Sequence, residues 1–220
     1  ICACLVGSEM CIRDSPRIDK ELLEKYHEDL IICSACIGGE IPQHILNGRM
    51  DKAEESVLWF KNLFGEDYYL EIQRHETHDP NAAQDVYPHQ VTANKAILEL
   101  ARKHNIKVIA TNDVHFVNAE DAEAHDRLIC LSTGKDLDDP NRMRYTKQEW
   151  MKTTAEMNTI FSDIPEALSN TLEIADKVEF YSIDHGPIMP TFAIPEDFGT
   201  EEEYRQKFTE QDLFDEFTRD

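Results

Sequence analysis

Apolar positions recur along this chain with two periods, and the switches between them mark out its elements. A short helical stretch at 20–27 precedes the unbroken apolar run Leu30-Ile31-Ile32-Cys33, whose length and β-branched content predict a buried strand. Gly38-Gly39 breaks it, 40–46 has helical spacing, and Asn47-Gly48 predicts a turn before an amphipathic helix at 51–63 closed by Gly65. Residues 68–73 read as a second strand and 80–88 as a polar loop. The stretch 90–104 then sets Val91, Ala93, Ala96, Ile97, Leu100 and Ala101 on one helical face, with Asn105 as its stop. Residues 107–110, Lys-Val-Ile-Ala, predict a third strand. Strands separated by helices are the pattern of βαβ units around a largely parallel sheet or barrel, so an α/β fold is expected.

Beyond residue 115 the pattern turns helical. Helices are predicted at 119–132, 147–161 and 165–178, with an acidic loop at 134–141 between the first two. Pro187, Pro190 and Pro195 mark an extended linker, and 201–220 reads as a charged helix without a stop signal, so the chain is expected to be a fragment of a larger protein. The opening stretch 1–15 holds three of the six cysteines and has neither period. Its string CLVGSEMCIRDS resembles translated sequencing-adapter DNA, and it is set aside from the fold as a non-native leader.

Composition narrows the function classes. With 220 residues, 41% of them hydrophobic, the chain can bury a sizeable core. Asp and Glu number 44 against 22 Lys and Arg, a net charge of −22, so the average field repels phosphate backbones and favours cations. Any contact with DNA must be local or supplied elsewhere. No apolar stretch reaches the ~20 residues needed to cross a bilayer, and a cytoplasmic location with no membrane partner is expected. Six cysteines are few for a disulfide scaffold; Cys33 and Cys36 have C-x-x-C spacing but no second pair to complete a four-thiolate site, and small packed residues are the preferred reading over redox chemistry.

Candidate chemistry sits where strands end. The third strand empties into Thr111-Asn112-Asp113-Val114-His115, and in an extended chain residues i and i+2 project to one side, so Asp113 and His115 would face one ion. Carboxylate and imidazole suit zinc, manganese or iron. An Asp before a loop is also a common turn residue, so the pair alone leaves both readings open. The second strand, if it stays extended, aligns Tyr69, Glu71, Gln73 and His75, placing a possible ligand at another strand terminus. In a parallel βα barrel these ends converge, which would bring His75, and with it Glu71, towards Asp113 and His115. The alternatives are a solvated loop histidine and a carboxylate satisfied by Arg74 or another neighbour. His104 and His125 read as surface residues.

The stretches LIICSACIGGEIPQHILNG, WFKNLFGEDYYLEIQRH, KVIATNDVHFVNAEDAEAHD and IADKVEFYSIDHGPIMPTF resemble the PHP (polymerase and histidinol phosphatase) domain of bacterial replicative DNA polymerase III alpha subunits. The resemblance runs from about Pro16 to the end. It implies a distorted βα barrel with a metal cluster at one mouth, of which 16–190 would be the C-terminal portion lacking its first strands, and 191–220 the linker and helical start towards the polymerase palm. By that likeness Asp113 and His115 match the last metal-ligand motif and His75 an earlier ligand position, with zinc or manganese as the metal. The H-x-H pair expected on the first strands has no counterpart here before Leu30. The resemblance further implies a parent that extends primed DNA with deoxynucleoside triphosphates, using magnesium held outside this segment. It also implies replicase partners: a sliding clamp, a clamp loader and a proofreading subunit. For the segment itself it implies 3′–5′ exonuclease or pyrophosphatase chemistry. A freestanding PHP-type phosphoesterase and a non-catalytic scaffold that docks the proofreading subunit are the competing readings.

Overall fold

A computed structural model describes residues 18–182 and, beyond them, 184, 186, 202, 203, 206, 209, 211, 212 and 215. The expected leader at 1–15 and most of the proline-marked linker and terminal helix lie outside the described residues. The chain divides into two units, Ile1–Phe180 and Tyr181–Asp220. In the second, the described positions 202, 203, 206, 211, 212 and 215 are helical.

The first unit runs α1 (Lys20–Lys25), β1 (Ile32–Cys33), α2 (Glu40–Leu46), α3 (Met50–Phe64), β2 (Tyr68–Ile72), α4 (Val86–His104), β3 (Val108–Ala110), α5 (Ala122–Thr133), α6 (Thr154–Ile160) and α7 (Pro165–Lys177). Single 3-10 turns precede β2 and α5. The strands pair in chain order, β1-β2-β3, and both pairings are parallel, with Ile32 opposite Tyr68 and Leu70, Glu71 and Ile72 opposite Val108, Ile109 and Ala110. Among the described residues this is an open three-stranded parallel sheet in a mixed α/β unit.

The sheet is buried on both faces, as parallel sheets with helical crossovers are. Tyr68, Leu70, Ile72, Val108 and Ala110 join Ile41 and Ile45 of α2, Val57 and Phe64 of α3, Ile97 and Leu100 of α4 and Phe161 in one core. Tyr69 and Ile109, on alternate positions, lie outside that cluster yet are as fully buried. Helix α7 covers β3: its Asn170 amide donates to the Val108 carbonyl at 2.8 Å, and Glu173 accepts from the Tyr69 hydroxyl and the Lys107 ammonium, both at 2.7 Å. The edge strand β1 is short, with Ile32 half-buried and Cys33 exposed, so the expected buried strand at 30–33 is reduced to a margin. The Ser34 hydroxyl extends the pairing by accepting the Glu71 N–H at 2.8 Å. Cys33, Cys36 and Cys130 are free thiols.

Two helices depart from their predicted bounds by more than three residues. Helix α4 begins at Val86, inside the expected loop, because Pro88 falls in its first turn, where the missing N–H has no intrahelical partner to lose. It ends as expected at Asn105, which takes the left-handed conformation of a C-cap. The helix predicted over 147–161 is confined to α6, Thr154–Ile160. Its start is fixed by a capping box in which the Thr153 hydroxyl accepts the Glu156 N–H and the Glu156 carboxylate returns to Thr153. Lys147 has φ of +65°, which no helix accommodates, and the residues that follow run extended beside Phe116, with Trp150 bridging to it.

Candidate functional site

Because all strands run parallel, the segments leaving β2 and β3 emerge at the same edge of the sheet, and there the polar residues gather. Extension of the β2–β3 pairing by the Thr111 N–H, which bonds to the Ile72 carbonyl at 3.1 Å, carries the chain to Asn112. At Asp113 the backbone turns, with φ of +44°, a left-handed conformation that Asp tolerates better than most side chains. The strand alternation invoked for the D-x-H spacing therefore ends before Asp113. Its juxtaposition with His115 comes from the turn: Asp113 Oδ1 lies 3.6 Å from His115 Nε2, and both side chains are about one-third exposed.

His75 is only 2% exposed. Its backbone N–H donates to Gln90 Oε1 at 2.7 Å, which orients the Gln90 amide so that its NH2 faces His75 Nδ1 at 3.1 Å. Nδ1 is therefore the acceptor and Nε2 carries the proton, which it donates to the Asn112 carbonyl at 3.2 Å. Burial, opposed by the nearby Glu149 charge, holds the ring's pKa below the usual histidine value, in keeping with this neutral form. Asp113 is near enough to act on it electrostatically. Glu71 is half-buried and committed sideways: its Oε1 accepts from the Gln73 amide at 2.9 Å and from the Thr111 hydroxyl. Arg74 points elsewhere, to Asp163 in a two-pronged pair at 2.6 and 2.8 Å. The structure thus brings Asp113 and His115 together, sets His75 behind them with both nitrogens engaged, and gives Glu71 other partners.

Three participants carried no sequence signal. His125, read as a surface residue on α5, is half-buried, its ring centroid 5.5 Å from His115, 5.1 Å from Phe116 and 5.0 Å from Tyr145. Burial and the neighbouring His115 depress its pKa. Tyr145 closes on His115 at 4.6 Å. Glu149, inside the segment expected to be helical, is 2% exposed; its Oε1 accepts from the Thr146 N–H at 3.0 Å and the Thr146 hydroxyl at 2.6 Å, while Oε2 is buried with no hydrogen-bond partner. Such an orphan costs about 1–3 kcal/mol. Lys152, half-buried beside Glu149 and over the Trp150 ring at 4.5 Å, has its pKa lowered by desolvation.

The donor chemistry of this edge suits a divalent cation: a carboxylate and an imidazole side by side, and a carboxylate oxygen without a hydrogen bond on Glu149, whose carbonyl accepts the His115 N–H. The set is incomplete, since among the described residues no three His, Cys, Asp or Glu side chains are arranged to close on one ion. No helix among the described residues is long and apolar enough to cross a membrane.

Residues 5–75 match the PHP domain family. Over most of its length the chain is similar to proteins named DNA polymerase III subunit alpha. It is 44% identical over 200 residues to that of Borreliella burgdorferi, covering 90% of this chain and 17% of the relative. Identity is 39% over 194 residues to that of Campylobacter jejuni (83% and 15%) and 36% over 204 residues to that of Thermus aquaticus (89% and 16%). The chain therefore spans about one sixth of the length of the relatives it matches.

Proposed function

We propose that this chain belongs to the bacterial DNA polymerase III alpha subunits and forms the C-terminal portion of that subunit's PHP domain, a sector of a βα barrel placed ahead of the polymerase palm. In this reading residues 16–190 are the partial PHP domain and 191–220 lead towards the palm. The whole subunit works in the cytoplasm, extending a primed DNA template with deoxynucleoside triphosphates beside a sliding clamp, a clamp loader and a proofreading subunit. Polymerisation and its magnesium ions belong to residues outside this segment. The net charge of −22 accords with a segment that leaves the duplex to other parts of the protein.

For the segment's own chemistry, the carrying observation is the Asp113–His115 pair at the carboxyl end of β3. Asp113 and His115 are proposed as ligands to zinc or manganese. His75 would join them after Gln90 releases Nδ1, and Glu71 after Thr111 and Gln73 release its carboxylate, with the remaining ligands supplied from outside the described residues. A divalent ion held there would supply Lewis acidity towards a phosphoester, the chemistry of a 3′–5′ exonuclease or pyrophosphatase. What this chain contributes is placement: the left-handed turn at Asp113 sets the two donors, and His125 and Tyr145 pack against the His115 ring.

One observation favours a second reading, a scaffold that docks the proofreading subunit: the described ligands do not close a metal site by themselves. Metal content and 3′-exonuclease activity of the full-length subunit, compared with Asp113→Ala and His115→Ala, separate the two. Loss of bound metal and of nuclease activity in both variants is the expected result. Unchanged nuclease activity in both rules out the hydrolytic role and leaves the scaffold.

A further inference from the structure

The loop that bears Asp113 and His115 has left the sheet, and what holds it is the segment 148–150. The His115 and Phe116 N–H groups both point at the Glu149 carbonyl, at 2.8 and 3.4 Å, and the Asn112 amide donates to the carbonyls of Gln148 and Trp150 at 2.9 and 2.7 Å. The Glu149 side chain turns the other way, inward. With Oε1 fixed by Thr146, its carboxylate sits 3.8 Å from His75 Nδ1, and its charge acts on His125 and Tyr145, the two rings packed on His115. Oε2, fully buried, has no hydrogen-bond partner among the described residues, and the Lys152 ammonium is near enough to act on the carboxylate electrostatically.

We propose that Glu149 is a positioning residue for the Asp113–His115 pair: its carbonyl fixes the His115 backbone, and its Oε2, free of hydrogen bonds, supplies negative charge that strengthens the hold on a divalent cation. This rests on the proposed reading of the pair as metal ligands. Carboxylates one layer behind the ligands orient them and raise their basicity, and their loss lowers metal affinity about 10–100-fold. The oxygen without a hydrogen bond is the feature a purely structural role leaves unexplained, since Thr146 and the backbone already anchor the segment through other atoms.

Titration of the full-length subunit with Zn2+ or Mn2+ alone, by competition with a chromophoric chelator, tests this. Glu149→Gln keeps an oxygen for Thr146 and the carbonyl for His115, puts an NH2 in place of Oε2 and removes the charge. The expected result is an affinity lowered about 10–100-fold with the melting temperature little changed, while Asp113→Ala loses at least as much. Wild-type affinity in Glu149→Gln alongside a clear loss in Asp113→Ala overturns the role of Glu149 and leaves the pair standing. Absence of binding by the wild-type protein, or no loss in Asp113→Ala and His115→Ala, overturns the reading of the pair and this inference with it. Where Glu149→Gln also lowers the melting temperature, Glu149→Asp decides: recovered affinity supports the charge, and affinity as weak as that of Gln overturns it.

Discussion

Replacing Gln90 by Leu would cut the tie between α4 and the end of β2 without changing the volume much. Gln90 is 1% exposed and makes two bonds to one residue, accepting the His75 backbone N–H at 2.7 Å and donating to Nδ1 at 3.1 Å. Leucine serves neither, and His75 is too deeply buried for water to replace them. Two buried groups lose their partners at about 1–3 kcal/mol each, so the gross cost is about 2–6 kcal/mol. The added apolar burial returns about 1–2 kcal/mol, leaving a net loss of about 1–4 kcal/mol. Urea unfolding of the protein, followed through Trp59 and Trp150 fluorescence, reads this as a lowered midpoint at unchanged slope. The double variant His75→Leu/Gln90→Leu removes the ring nitrogen that Gln90 leaves bare, so the two changes together should cost less than their sum. A loss below about 0.5 kcal/mol in Gln90→Leu, the size of an ordinary surface change, would refute the assignment of Nδ1 as acceptor and the burial of the pair with it.

Two other perturbations probe the scaffold. Glu173 has its pKa lowered to about 2, first by the Lys107 ammonium and then by the Tyr69 hydroxyl. A folded value below the unfolded one means that its contribution is present above the unfolded value near 4.5 and is lost as pH falls from there towards about 2; acid unfolding should shift to higher pH in Lys107→Met, and an unchanged acid midpoint counts against the network. Gly39→Ala would set a Cβ 2.5 Å from the Ser34 carbonyl, a backbone atom that cannot swing away, so a loss of about 1–3 kcal/mol is expected in thermal unfolding.

Periodicity revealed most of the scaffold and little of the site, for a physical reason. Helix α2 falls on its predicted residues, and Gly65 and Asn105 close α3 and α4 where their composition said they would. These features are local: spacing, caps and turn residues act over four or five positions. The surroundings of Asp113 and His115 are not local. Gln90 and Asn112 are polar residues in dry positions, the first bonded to His75 and the second to the Gln148 and Trp150 carbonyls, and an amide buried for such a reason looks in sequence like an amide on the surface. Acidic neighbours on its helix give His125 a surface pattern, while its ring packs on Tyr145. The spacing of 147–153 suits a helix, while its carbonyls are claimed by Asn112, His115 and Phe116.

The strand order β1-β2-β3 is also an order of synthesis. Each strand leaves the ribosome with its neighbour already made, so the sheet can assemble as it emerges. The loop after β3 cannot: Asn112 waits for the carbonyl of Gln148, 36 residues later. At translation rates of about 5–20 residues per second that is a delay of about 2–7 seconds between the synthesis of Asn112 and that of its partner.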